Sequence, residues 1–171
     1  MNLTLLHQTP ELTVYHDSWN NWLFLDWQGE LTLAGVQAAS LALVRCCPYP
    51  YQRVLNSNAG VTHVPGAVTA WLGLELLPLL QQVGVEQIAW VRAGCPSGRQ
   101  LVERAQGWLT TLRVEAFDDL EPAVEWLQHT QPPVPADQRL VLAQAQQQAN
   151  APHTQRFAAR VAEQLADVGS L

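Results

Sequence analysis

Apolar residues recur along the first 128 residues with two periods, which divide this part of the chain into strands and helices. Alternation of apolar and polar residues is typical of half-buried strands, whereas three- and four-residue spacing is typical of helices that pack on one face. The predicted strands cover residues 3–7, 12–16, 22–28, 51–55, 87–93 and 113–117. The predicted helices cover residues 32–47, 67–83 and 97–110, and a fourth helix ends at Leu127.

The order of these elements predicts the fold class. A short polar turn separates the strands at 12–16 and 22–28, which predicts an antiparallel hairpin. The second of these strands has apolar side chains on both faces, so we expect both faces to be covered. Strands then alternate with helices, which favours parallel pairing. The sequence therefore predicts an α/β fold with a mainly parallel sheet, an antiparallel opening hairpin and flanking helices.

Helix-breaking and capping residues predict local features of the helices. Pro78 lies inside the helix at 67–83 and is expected to kink it near residues 74–77. Gly84 follows that helix and is expected to cap its carboxyl end. The segment Ser97-Gly98-Arg99-Gln100 has the form of a capping box, which predicts that a helix opens there.

The composition changes after Gln128. Residues 129–136 form a proline-rich linker, and residues 137–171 form a helical extension to the α/β domain at 1–128. Ala151-Pro152 is expected to divide the extension into two helices, the second with an apolar stripe at Phe157, Val161 and Leu165. Such a helical hairpin does not stand alone. It packs on the domain, packs on a second copy or stays partly mobile, and the sequence leaves these alternatives open.

Charge and composition exclude several classes of function. The chain of 171 residues is 48% hydrophobic and 14% charged, which indicates a folded domain with a core. Its net charge is −6, its nine basic residues are all arginine, and they form no cluster, which argues against nucleic acid and anionic membrane surfaces as partners. No apolar run is long enough to span a membrane.

Cysteine usage and the amino terminus predict the compartment. The three cysteines do not suggest a disulfide framework, and the amino terminus lacks the pattern of a signal peptide, so we expect a cytoplasmic protein. The sequence has no CxxC motif and no cysteine or histidine set at zinc spacing, and we predict neither a metal nor a cofactor.

Residues 56–66 are the best candidate site. They follow the strand at 51–55 and are predicted to form a loop at its carboxyl end, where open α/β sheets meet ligands and partners. Polar side chains in this segment would supply contacts, and a tryptophan on the next helix would supply an apolar anchor. The predicted contact residues are Asn56, Ser57, Asn58, Thr62, His63 and Trp71. Turn formation and helix capping explain the same polar residues, so both interpretations stay open.

Several short motifs together resemble one family. They are Trp27-Gln28-Gly29, Leu55-Asn56-Ser57-Asn58, Trp71 with Leu77-Pro78, Ala89-Trp90-Val91, Phe117-Asp118-Asp119-Leu120 and Glu125-Trp126-Leu127. This set resembles the sulfate-transporter/anti-sigma-factor-antagonist (STAS) fold. It is most similar to the STAS/CRAL-TRIO-like proteins of unassigned function found in Bacteroidetes. The resemblance covers about residues 10–128 and leaves out the helical extension.

The resemblance implies a function that does not involve catalysis. STAS domains that are phosphorylated carry a serine at the start of the helix after this strand, where the present chain has Pro65 and Gly66. It therefore implies a cytoplasmic regulatory or protein-interaction module without that serine. Its partner would be another protein or a second copy, and a homodimer through the carboxyl-terminal helices is one such arrangement.

Two alternative functions remain. The likeness to CRAL-TRIO proteins implies a binder or carrier of a small apolar ligand, held between the sheet and the kinked helix beside Trp71. Hydrolytic catalysis is the least favoured, since it needs a base beside a nucleophile. The sequence offers His63 as a base near Ser57 as a nucleophile, with Asp17 or Asp26 as a third group near the histidine. It has no Gly-x-Ser-x-Gly motif.

Overall fold

The protein is built around one six-stranded sheet in the order β1-β2-β3-β4-β5-β6. The structure, a computed structural model, describes residues 1–46, 51–108, 112–130 and 136–168. The strands are β1 (Leu3–Gln8), β2 (Leu12–Asp17), β3 (Trp22–Glu30), β4 (Arg53–His63), β5 (Gln87–Val91) and β6 (Arg113–Phe117). The helices are α1 (Leu33–Cys46), α2 (Gly66–Trp71), α3 (Leu77–Gln82), α4 (Pro96–Trp108), α5 (Leu120–His129) and α6 (Ala136–Val168), with a π-helical turn at Leu72–Leu76 between α2 and α3.

The pairing of the strands confirms the predicted fold class. Strands β1, β2 and β3 pair antiparallel, because short turns join them. Strands β3, β4, β5 and β6 pair parallel, because helices make the connections between them. The result is a mainly parallel sheet with an antiparallel amino-terminal part.

Helices cover both faces of this sheet. On one face, the larger core packs side chains of α1, α2, α3, α4 and α6 against the strands. On the other face, α5 packs Ala123 and Leu127 against a smaller cluster that includes Trp22 and Phe24 of β3. The prediction that β3 is covered on both sides is therefore confirmed, since its alternate side chains enter the two clusters.

The helix is irregular just before Pro78, close to the position of the predicted kink. The helix changes to a π-helical turn at Leu72–Leu76, and the backbone N–H of Leu77 donates to the carbonyl of Leu72, five residues earlier. Pro78 has no N–H, and its ring would clash with the carbonyl four residues earlier in a regular α-helix. The wider turn relieves that clash and places extra leucine side chains against the sheet.

Of the two predicted helix caps, the glycine cap is confirmed and the capping box is wrong. Gly84 adopts φ +96°, and beyond α3 the N–H of Val85 donates to the carbonyl of Leu80 at 2.9 Å, which confirms the glycine cap. The capping box at residues 97–100 is wrong, since α4 already begins at Pro96. The Ser97 hydroxyl instead accepts a hydrogen bond from the N–H of Val64 at 3.0 Å, which ties α4 to the segment before α2.

The predicted break in the carboxyl-terminal extension is also wrong. One helix, α6, runs from Ala136 to Val168 with Pro152 inside it. Pro152 and Gln148, whose carbonyl loses its helical donor, both have exposed side chains. Water can therefore hydrate that carbonyl, so the helix continues through the proline. The proline-rich segment 131–135 lies outside the described residues.

Helix α6 packs on the α/β domain, which decides among the three alternatives for the extension. Phe157 and Val161 are buried in the larger core, and the Phe157 ring lies 6.1 Å from that of Trp71. The side-chain oxygen of Gln164 accepts from the Trp71 indole at 3.0 Å and from the Gln37 amide at 2.8 Å. The stripe that a homodimer through this extension would use is therefore buried within the chain.

Candidate functional site

The segment predicted as a loop at residues 56–66 is mostly strand. Strand β4 continues to His63 because the end of β3 continues beside it, with Gln28 opposite Gly60 and Glu30 opposite His63. Strand β5 pairs with β4 only as far as Ser57. Asparagine and serine have low strand propensity, but pairing with a neighbouring strand overrides it. The loop prediction is wrong for this reason.

The structure separates the predicted contact residues into buried and exposed groups. Asn56, Ser57 and Asn58 are buried within β4, and Trp71 is buried beneath α6. Thr62 and His63 are exposed at the end of β4. The six residues therefore do not form one exposed surface.

Ser57 and His63 do not approach each other along β4. Six residues of extended strand separate them, a distance of about 20 Å. The Ser57 hydroxyl instead accepts from the backbone N–H of Ala59 at 3.4 Å. The pair considered for nucleophilic catalysis is therefore not assembled.

Asn56 and Asn58 join two tryptophans in a continuous polar row. The Trp27 indole donates to the side-chain oxygen of Asn56 at 3.0 Å, and the Asn56 amide donates to the side-chain oxygen of Asn58 at 3.0 Å. The other end of the Asn58 amide lies 3.2 Å from the indole nitrogen of Trp90. All four side chains are at least nine-tenths buried, with exposures of 2–6%. We call these four residues the polar row.

The polar row lines a cavity between the sheet and the interrupted helix. The cavity has a volume of about 30 Å³, which holds about two water molecules. Leu25, Val54 and Ile88 contribute apolar walls from the strands, and the opposite wall consists of leucines from the π-helical turn and α3. The leucines of that wall are Leu72, Leu76, Leu77 and Leu80.

The cavity has recognition groups and no reactive ones among the described residues that line it. That lining contains amide and indole groups on apolar walls and includes no serine, cysteine, histidine or charged side chain. Its surface is almost wholly apolar, which suits a small neutral molecule better than a charged one. Sequence reasoning placed a small apolar ligand between the sheet and the kinked helix, where this cavity lies, but assigned Trp71 to it, whereas the tryptophans of the lining are Trp27 and Trp90.

The start of α2 matches the position where the resemblance implied a missing serine. Pro65 is the residue before α2 and makes no side-chain capping bond, and Gly66 begins the helix. The exposed side of the following helix carries Ala67, Ala70 and Leu74, whose side chain is 76% exposed. This position therefore offers a small apolar surface and no hydroxyl.

The buried carboxylate of Asp17 holds a turn. Burial by itself raises the pKa of Asp17, but its hydrogen bonds outweigh that effect and leave the pKa below its ordinary value. The donors are the Asn20 side chain at 2.6 Å and the N–H groups of Asn2 at 3.0 Å and Trp19 at 3.1 Å. Asp17 therefore fixes the connection between β2 and β3.

Asp26, the other carboxylate predicted as a possible third group for catalysis, lies beside Ser57 in the pairing of β3 and β4 and accepts from the Gln28 amide at 3.2 Å.

Within residues 1–46, 51–108, 112–130 and 136–168, no three metal-ligating side chains form a cluster. None of the helices in those ranges has the length and apolar character needed to cross a membrane.

Comparisons with known proteins identify the fold. No protein-family model matches the chain, and no curated protein matches it significantly. Among solved structures, it is similar to an uncharacterized protein of the DUF3478 family with a SpoIIAA-like fold from Shewanella loihica PV-4. The two share 17% identity with a TM-score of 0.50, over 71% of this chain and 98% of that one. The chain therefore has the SpoIIAA-like, or STAS-like, fold that its sequence motifs predicted.

Proposed function

We propose that the protein is a non-catalytic regulatory module of the cytoplasm that acts by binding another protein. The observation that carries this proposal is the exposed apolar side chain of Leu74 at the end of an uncharged helix face. Ala67, Ala70 and Leu74 follow three- and four-residue spacing and so share one side of the helix. A large apolar side chain surrounded by small residues is suited to insertion into a partner.

The proposed contact surface is smaller than the sequence suggested. Thr62 and His63 stay in it because they are exposed at the end of β4, directly before the segment that leads into α2. Asn56, Ser57 and Asn58 leave it because they are buried. We call the surface of Thr62, His63, Ala67, Ala70 and Leu74 the α2 surface.

The residues at the start of α2 favour a contact that does not depend on serine phosphorylation there. Pro65 and Gly66 have no hydroxyl group to modify. Ser57 is buried in the sheet, whereas the Thr62 side chain is exposed. The module would therefore be regulated by partner availability, or by a ligand, more directly than by a kinase acting at this helix.

Photocrosslinking tests the proposal. A benzoylphenylalanine residue replaces Leu74 in one variant and Leu120 in a matched control, since Leu120 is also an exposed leucine but belongs to α5 on the opposite face of the sheet. Irradiation of cells that produce the protein natively should give a discrete heavier band from position 74 only. The same bands from both positions, or no band from position 74, would contradict a specific contact at the α2 surface.

A second candidate function is the binding of a small ligand, and the cavity above the polar row favours it. Its leucine wall adjoins the π-helical turn, a feature often found at functional sites. Native mass spectrometry of the purified protein under rising activation tests it. An excess mass that dissociates supports this candidate, and a bare chain mass contradicts capture of a ligand. A doubled mass would reveal a homodimer in the same experiment.

A further inference from the structure

We infer that the cavity recognises a neutral molecule through a hydrogen-bond acceptor, which makes a small carbonyl compound the fitting chemical class. This inference rests on the second proposed function, ligand binding in the cavity, and adds what the ligand must carry. The argument comes from the numbers of donors and acceptors in the polar row.

The polar row contains more donors than acceptors at its contacts. An indole N–H only donates, so the ends of the row at Trp27 and Trp90 each require an acceptor. Asn56 turns its oxygen to Trp27, and its NH₂ group then faces Asn58 at 3.0 Å. Asn58 has one oxygen and must serve both Asn56 and Trp90.

Each orientation of the Asn58 amide leaves one contact between two donors. If the oxygen of Asn58 faces Asn56, its NH₂ group faces the Trp90 indole at 3.2 Å. If the amide is turned, its oxygen accepts from Trp90 and its NH₂ group donates to the backbone carbonyl of Ser57 at 3.3 Å, but that NH₂ group then also faces the NH₂ group of Asn56 at 3.0 Å, which is left without an acceptor. The row is therefore one acceptor short in either orientation, and buried polar groups require partners.

The cavity places the missing acceptor among apolar walls. The four residues of the polar row belong to the lining, so a group bound in the cavity lies beside the row. None of the described residues that line it is charged, and burial of an unpaired anion is costly, which favours a neutral acceptor over a carboxylate. The small volume indicates a compact carbonyl group whose apolar part contacts Leu72, Leu76 and Leu77.

The probe pair for the test is acetone and isobutene, which have the same shape and differ in the acceptor oxygen. Their dissociation constants are measured by NMR from the Asn56 side-chain NH₂ signals and the indole N–H signals, the latter assigned by Trp27→Phe and Trp90→Phe. Acetone should shift the signal of the unmatched donor, either the Trp90 indole N–H or the Asn56 side-chain NH₂, saturably and to lower field, as expected for a donor that gains an acceptor. Isobutene should bind without that shift.

Two variants remove the shortage of acceptors by different routes. Asn58→Asp presents oxygens to both Asn56 and Trp90, and Trp90→Phe removes one donor. In both variants, the ratio of the isobutene dissociation constant to the acetone dissociation constant should fall about tenfold from the wild-type ratio. The reason is that the row then has no unmatched buried donor to which acetone could bind. Two variants keep the test valid if one does not fold.

The outcomes separate this inference from the function on which it rests. An unchanged ratio in both variants, with both probes bound, would overturn the inference and leave ligand binding standing. If neither probe shifts any indole or Asn56 side-chain signal and the Trp27 and Trp90 protons show contacts to water only, both the inference and ligand binding in the cavity are overturned. The low-field shift together with the fall in ratio supports the inference.

Discussion

The substitution Phe157→Ala tests whether α6 is an integral part of the domain. Phe157 is 1% exposed and packs against Trp71, and Val161 of the next helical turn is fully buried beside the same core. Removal of the ring therefore leaves a cavity between α6 and the helices beneath it. A detachable appendage, by contrast, would lose little from the same change.

The expected loss of stability is large. Full burial of a phenylalanine side chain stabilises a protein by about 1.5–3 kcal/mol, and the cavity left behind raises the cost of a Phe→Ala change to about 3–5 kcal/mol. With a urea dependence of about 2 kcal/mol per molar, the unfolding midpoint should fall by about 2 M. Urea titration followed by fluorescence reports it, because Trp71 lies beside the substituted ring.

A matched control isolates the effect of burial. Leu74→Ala also removes a large apolar side chain, but that side chain is 76% exposed, and the change should cost less than about 0.5 kcal/mol. A loss below about 1 kcal/mol for Phe157→Ala would refute the argument, since a fully buried ring in a packed core costs more than that.

Three further predictions concern single residues. Gly84→Ala should lower stability by about 1 kcal/mol, because alanine is strained at φ +96°, and a melting temperature equal to wild type would contradict it. Folding lowers the pKa of Asp17 from its ordinary value of 3.8, so the carboxylate stabilises the fold above pH 3.8. This contribution is lost as the pH falls through the pKa that Asp17 has in the folded protein. The difference in unfolding free energy between wild type and Asp17→Asn should therefore shrink below that pH, and a constant difference would count against it. Arg53→Met should lower the free energy of unfolding, measured by urea titration, by about 2–3 kcal/mol. The reason is that the buried guanidinium donates to the carbonyls of Leu127, at 2.9 Å, and Asn20. An unchanged free energy of unfolding would contradict a stabilising role for these bonds.

Local patterns predicted the elements of this fold well. The alternation in residues 12–16 and 22–28 predicted the hairpin β2–β3, and the helical spacing after residue 32 predicted α1. Pro78 and Gly84 predicted the interruption and the end of the following helix. These features depend on residues close in sequence, whose steric limits and side-chain periods operate before any distant contact forms.

The candidate segment was predicted with the wrong conformation. The sequence drew attention to Asn56 and Asn58 as polar residues after an apolar strand, and they do line the cavity. Their conformation depended on β3, which extends to Glu30 and keeps β4 extended beside it. A turn preference of asparagine is weaker than a row of strand hydrogen bonds supplied by a neighbour.

The sequence by itself determined the α/β class, the order of strands and helices and the helix irregularity before Pro78, since these follow from local periodicity and backbone chemistry. The tertiary structure alone decided three things: that Asn56 and Asn58 lie buried between Trp27 and Trp90, that α6 is one helix, and that Phe157 docks it on Trp71. The first and third depend on residues far apart in the chain, whose contacts form only when the sheet and its helices are assembled, and the second depends on which side of α6 faces water.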